Sequence, residues 1–167
     1  MAVLQMTIKR SWRSATHWIA DLSHGSSIRG NWKVDWGDGW VEYDEYEHDY
    51  NYAEGGTYQV TVEGDFKIEN MTMPYYLVSL DRIEDCGVTD LSDFFEYCYY
   101  LEAVPHDWDL SEVVNTSRMF KKCSYFNQDL SHWDLSHIKK KVNMFKNCKS
   151  MESKNKPRGL RKGDKKC

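Results

Sequence analysis

No run of about 18 consecutive apolar residues occurs in the 167-residue chain, so nothing in it spans a bilayer as a helix. The amino-terminal stretch MAVLQMTIKRSWRSATHW lacks both an apolar core of about seven residues and a small-residue cleavage site, so it does not read as a secretory signal. The cysteines include no Cys-x-x-Cys pair, which removes the usual zinc spacing. Proline numbers only 3, while hydrophobic residues make up 41% and aromatics 14%; this composition excludes a disordered chain and supplies a core for one domain or two small ones.

The net charge of −4 conceals a polarity. Between Lys154 and Lys166, seven basic residues (Lys154, Lys156, Arg158, Arg161, Lys162, Lys165 and Lys166) face Asp164 alone, a local +6, so the remainder carries −10. Much of that acid lies around Asp35–Asp65. The pattern is a basic tail on an acidic body.

What is present is a repeat. Written from Val88 in lines of 25, the chain reads VTDLSDFFEYCYYLEAVPHDWDLSE, then VVNTSRMFKKCSYFNQDLSHWDLSH, then IKKKVNMFKNCKSM. Phe95, Phe120 and Phe145 fall in one column, Cys98, Cys123 and Cys148 in another, and Leu101, Phe126 and Met151 in a third. Trp-Asp-Leu-Ser recurs at 108–111 and 133–136, with no gap needed anywhere. One such unit cannot bury its apolar face alone, whereas stacked units share a continuous core, so these columns are expected to point inward. A short helix is expected to start near Ser92, Thr116 or Ser117, where a hydroxyl caps it, and to run into Phe-x-x-Cys. Asp129-Leu130-Ser131 is expected to be a brief strand.

The cysteine column reads as core. A catalytic thiol would not be copied into every unit, while small, soft cysteine fills one packed column. Free thiols are expected, with Cys86 buried at a domain junction and Cys167 exposed. No histidine repeats in phase, since His106 shares the column of Ser131 and His132 that of Asp107; the histidines read as surface variation.

The string MFKKCSYFNQDLSHWDLSHIKKKVNMFKNC resembles the repeat of BspA-like leucine-rich-repeat surface proteins, the variant of mycoplasma lipoproteins. Residues 119–136 follow that motif throughout; residues 94–111 depart from it at Phe94, Ala103 and Pro105, and the third unit stops after Met151. The resemblance implies a solenoid for surface display and adhesion, with no catalytic residues to carry over.

In the first half, Trp32, Val34 and Trp36 alternate with polar residues, and Tyr58, Val60 and Val62 do so again, as half-buried strands require. Gly37-Asp38-Gly39 between them is turn chemistry; without a lysine or a following helix it is neither a phosphate loop nor an EF-hand. Val-Asp-Trp-Gly-Asp-Gly followed by Tyr52-x-x-x-Gly-Thr-Tyr58-x-Val-x-Val resembles PKD-like β-sandwich domains, with Tyr50 where that family carries histidine. Leu4, Met6 and Ile8 suit an opening strand, Ser23–Ser27 a loop, and Tyr75–Ile83 an irregular first coil capping the stack. The expected fold class is therefore mainly β with short helices: a PKD-like antiparallel sandwich over 1–69, a leucine-rich-repeat-like solenoid over 70–151, and a basic tail over 152–167.

Two segments stand out as surface for contact. From Trp40 to Tyr52 aromatics alternate with acids, and Trp40, Tyr43, Asp44, Tyr46, Glu47 and Tyr50 are the candidate binding residues; the alternatives are a charged hairpin on a solvated edge or acids that hold Ca²⁺. Lys154, Lys156, Arg158, Arg161 and Lys162 are the candidate assembly tail, expected to dock on an acidic protein surface because Glu152–Cys167 is too charged to cap the stack. No cofactor, metal or catalytic residue is expected. The expected function is a non-enzymatic structural or recognition protein acting by contact with protein subunits, a capsid or tail lattice, or a receptor or glycan. Self-association is a further expectation, and sequence-specific nucleic-acid binding is not. A bare amino terminus favours a phage virion component over a bacterial cell-surface or secreted adhesin; a thiol or metal hydrolase using Cys86, His48 or the acidic stretch is the distant alternative.

Overall fold

The computed structural model describes residues 1–10, 28–43, 52–68 and 71–160. There are five strands among the described residues, β1 (Ala2–Arg10), β2 (Ile28–Asp35), β3 (Val41–Tyr43), β4 (Gly56–Ile68) and β5 (Leu77–Glu84), with period-two burial along β1 and β2 and in the middle of β4. They form one antiparallel sheet in the order β3-β2-β4-β1-β5. Register aligns the apolar positions in rows. Val34 pairs with Val62, Val62 with Leu4, and Leu4 with Ile83. The Gly37-Asp38-Gly39 turn joins β2 to β3 as read: the Asp35 carboxylate accepts the Gly37 amide at 2.9 Å and the Trp36 amide meets the Trp40 carbonyl at 3.1 Å. At Gly37 a left-handed φ of 80° coincides with backbone so close that a Cβ would lie 2.3 Å from the Gln59 carbonyl oxygen.

This sheet corrects the expected PKD-like sandwich. Alternation along a strand specifies that one face is buried and does not specify what covers it. Here there is a single open sheet, and one continuous core runs from Leu4 and Val62 through Met71, Met73 and Cys86 to Phe120 and Met151. The apolar face shares that core with the repeat segment instead of with a second sheet. Tyr75–Ile83 is corrected as well. Most of it is β5, which pairs with β1 on one edge, while Leu80 and Val78 bond to the backbone of Ala103 and Glu102 on the other at 3.1 and 2.8 Å. One strand thus belongs to both halves.

The leucine-rich-repeat solenoid with short helices is likewise overturned. The described residues contain no α-helix and, after Glu84, no strand; the only regular turn is 3-10, at Ser153–Asn155. The reason is local. Each unit carries two non-glycine residues with positive φ: Asp93 and Tyr97, Arg118 and Lys122, Asn143 and Asn147. Such residues interrupt an i to i−4 ladder. Alternate amides instead cross to the next unit, Leu91, Asp93, Phe95 and Tyr97 donating to the carbonyls of Asn115, Ser117, Met119 and Lys121 at 2.8–3.0 Å. The amides between them close three-residue turns, as Glu96 does on Asp93 at 2.8 Å.

The 25-residue spacing is therefore real in space as a stack of turns. Phe95 lies on Phe120 at 5.3 Å between ring centroids, and Phe120 on Phe145 at 5.2 Å. Charge alternates from unit to unit on one side: Arg118 bonds Asp93 at 2.6 Å and Lys121 bonds Glu96 at 2.5 Å. The thiols of Cys98, Cys123 and Cys148 are buried and free, donating to the carbonyls of Pro74, Phe95 and Cys123 at 3.3, 3.0 and 2.8 Å.

The chain from Glu152 to Leu160 also departs from the expected charged tail, because it packs. The Asn127 side-chain oxygen accepts the Glu152 amide at 2.9 Å, and the Leu130 amide donates to the Asn155 carbonyl at 2.8 Å. Pro157 and Leu160 are buried, Leu160 in the phase of Leu110 and Leu135. Lys156 places its ammonium 5.6 Å from the centre of the Phe145 ring, closing the phenylalanine column. Spaced prolines and leucines among lysines hide this cap from a reading of net charge.

Candidate functional site: an exposed tyrosine face

Stacking in phase repeats outward side chains as faithfully as inward ones. Tyr75, Tyr100 and Tyr125 are one unit apart in sequence and are 42%, 51% and 64% exposed. The rings of Tyr100 and Tyr125 lie parallel within 9°, their centroids 6.0 Å apart. Beside them Tyr97 and Tyr99 are also exposed and meet edge to face at 6.0 Å, and the Lys122 ammonium sits 4.3 Å from the Tyr97 ring centre. Five tyrosines thus occupy neighbouring phases of two to three units. A tyrosine presents a large apolar face with a polar tip at the cost of two torsions, which is why recognition surfaces use it. Held in a stack, these rings lose less freedom on binding than rings on a mobile loop.

Sequence columns read for core residues pass over this face. The signal was the same 25-residue phase extended one unit back, before Val88, where Tyr75 stands.

Of the candidate binding residues, Trp40 and Tyr43 flank and occupy β3 and are 58% and 67% exposed. Glu42 holds the turn together: its carboxylate accepts the indole N–H of buried Trp36 at 3.0 Å and that of Trp40 at 3.3 Å. Trp40 is therefore positioned, not loose. Asp44, Tyr46, Glu47 and Tyr50 lie outside the described residues, and so does His48. In the basic segment, Lys154 bonds Glu152 at 2.9 Å, Lys156 covers Phe145, and Arg158 is exposed; Arg161 and Lys162 lie outside the described residues.

The thiols are poorly suited to nucleophilic work. Burial pushes Cys86 up to about 11 and Cys148 up to about 12, and raises Cys98 and Cys123 further. Buried, protonated sulfur is inert at neutral pH. The histidines, read as scattered, are partly gathered instead: His106 and His132 stack at 4.2 Å and share a cleft with His137. Their spacing of 26 escapes a search at 25. Each has a partner, His106 with the Asp107 carboxylate at 2.6 Å, His132 with the His106 carbonyl and His137 with the Leu110 carbonyl, both at 2.9 Å.

Among the described residues, no helix is long and apolar enough to cross a membrane. No curated protein and no solved structure matches the chain. Residues 69–160 match the family described as Mycoplasma protein of unknown function, DUF285. The match ends at Leu160, which is buried and is the last of the described residues. With an open single sheet and no helical repeat, it replaces the BspA-like and PKD-like resemblances, and it lends nothing to the labels of leucine-rich repeat, virion decoration or adhesion that came with them. The matched segment is more than half of the sequence, and the chain belongs to this family of Mycoplasma proteins of unknown function.

Proposed function

We propose that the chain is a non-enzymatic recognition module of a bacterial cell surface, which contacts another protein through the face bearing Tyr75, Tyr100 and Tyr125. The observation that carries this reading is the parallel, exposed pair Tyr100 and Tyr125 with Tyr75 in phase. Aromatic area of this extent, held in phase on one face, is characteristic of contact surfaces. Burial makes the thiols of Cys86, Cys98, Cys123 and Cys148 poor nucleophiles. The Mycoplasma family favours a bacterial setting over a virion.

Photo-crosslinking in the native bacterium tests it. A benzophenone side chain at position 125 is expected to trap a defined protein, and the same group at Glu54, exposed and outside the tyrosine face, is not. Tyr100→Ala should suppress the crosslink while leaving the circular dichroism spectrum unchanged. Equal trapping from both positions, or trapping indifferent to Tyr100, would refute the assignment. Protease accessibility on intact cells checks the location.

A further inference from the structure

The repeat phase places a second pair of rows on another part of the surface. Glu84, Asp109 and Asp134 are one unit apart and all exposed. Next to them in sequence, Ile83, Trp108 and Trp133 form an apolar row that is half-buried at its first two positions and 5% exposed at Trp133. The rows line one continuous groove. A cleft of about 470 Å³ holds Trp108, Trp133, Asp109 and Asp134, and a neighbouring one of about 790 Å³ shares Trp108 and Asp109 and continues to Ile83 and Glu84. Seven carboxylates line the two clefts against one guanidinium, Arg82, which is already bonded to Glu84 at 2.6 Å.

The aspartates have a structural task, since Asp109 and Asp134 accept the amides of Ser111 and Ser136 at 2.9 Å. At longer range His137 and Lys141 also favour the Asp134 carboxylate. No lysine or arginine among the described residues reaches ion-pair distance of either. Hydrogen bonds hold Asp109 and Asp134 below the ordinary carboxylate range, so both stay ionised, and the groove concentrates their negative potential. A second, independent feature lies in the apolar row: Trp108 is only half-buried and lines both clefts, so part of its indole stays open beside the carboxylates.

We propose that this groove binds an extended arginine- or lysine-bearing segment of another protein. Guanidinium groups pair with carboxylates through two parallel hydrogen bonds and stack on indole faces, so Asp109, Asp134 and Trp108 together suit them. A neutral sugar also stacks on tryptophan, but it brings no positive charge to the carboxylates.

Calorimetric titration of the full chain with a synthetic peptide of alternating arginine and serine tests the proposal. Saturable binding is expected at low salt, weakening at about 0.15 M salt, where exposed charges are screened within about 8 Å. Asp109→Asn combined with Asp134→Asn should weaken it at least about tenfold, because asparagine keeps the amide-accepting oxygen and hence the turn while losing the charge. Trp108→Ala should weaken it comparably, and Asp38→Asn with Glu54→Gln, acids away from the groove, should not. Absence of saturable binding overturns the proposal, as does an affinity unchanged in the Asp109/Asp134 variant. Binding of a neutral cello-oligosaccharide in place of the peptide, lost in Trp108→Ala, would assign the groove to glycan and overturn it equally.

Discussion

Phe120→Ala strikes the centre of the stacked column. The ring is fully buried, with Phe95, Phe126 and Phe145 at 5.3, 4.5 and 5.2 Å and Trp133 at 6.2 Å. Truncating a buried phenylalanine costs about 3–5 kcal/mol, the upper part applying where the surroundings cannot collapse into the hole. Collapse is hindered here because the spacing between units is held on both sides. The Phe95 amide donates to the Met119 carbonyl at 2.9 Å and the Phe120 amide to the Met144 carbonyl at 2.8 Å. An expected loss of about 4 kcal/mol is a large part of the 5–15 kcal/mol typical of a domain. Equilibrium urea unfolding reads it as a midpoint lowered by about 2 M for an m-value near 2 kcal/mol/M, with m unchanged. Phe145 has Phe120 on one side and only the Lys156 ammonium, at 5.6 Å, on the other, so Phe145→Ala should cost less. The double variant should reveal a coupling of about 0.5–1.5 kcal/mol between the two rings. A cost for Phe120→Ala below about 1.5 kcal/mol, or strict additivity of the pair, would show that the column is not packed as described.

Three further outcomes follow from the same structure. Gly37→Ala should destabilise by about 3 kcal/mol, since the left-handed φ and a Cβ at 2.3 Å from the Gln59 carbonyl act together, whereas Gly39→Ala, at φ 96° with open space, should cost about 1 kcal/mol; thermal melts distinguish them. The Arg118 guanidinium holds the Asp93 carboxyl below its ordinary value, so the folded state takes up that proton less readily than the unfolded chain. The pair's contribution is then complete above about pH 4 and fades as pH falls below it, and Asp93→Asn should flatten that part of the stability profile by no more than about 1 kcal/mol, because both side chains are partly exposed. Alkylation of Cys98, Cys123 and Cys148, followed by peptide mass spectrometry, should require denaturant; labelling of native protein within minutes would refute the buried column.

How much of this was legible in the sequence depended on which property each element expresses. Strands with one buried face announce themselves by alternation, and β1, β2 and β4 lie where Leu4–Ile8, Trp32–Trp36 and Tyr58–Val62 put them. The partner of a sheet face leaves no such trace, and the same alternation serves a sandwich or a sheet resting on stacked turns. In-phase Phe and Cys specified an inward column but not backbone conformation; a left-handed Tyr97, Lys122 or Asn147 looks in sequence like any polar or aromatic residue near a helix end. Net charge concealed the packing of Pro157 and Leu160, because burial is decided by individual side chains. Of the candidate site, Trp40 and Tyr43 are exposed, and the tyrosine face leaves its trace only in an outward column, which core periodicity does not reveal.

The two kinds of outward column differ physically, and the difference decides which of them looks for a partner outside the chain. Where neighbouring units carry opposite charge in register, as Asp93 with Arg118 and Glu96 with Lys121, the side chains satisfy each other and add to the cohesion of the stack. Such columns are internally complete. Where neighbouring units carry the same group, the stack leaves it facing outward: exposed ring area at Tyr75, Tyr100 and Tyr125, and carboxylates at Asp109 and Asp134 that meet no lysine or arginine at ion-pair distance among the described residues. The stack thereby turns one residue choice, repeated at its own period, into an extended surface of a single chemistry, and a partner of the kind proposed would meet the same group at every unit.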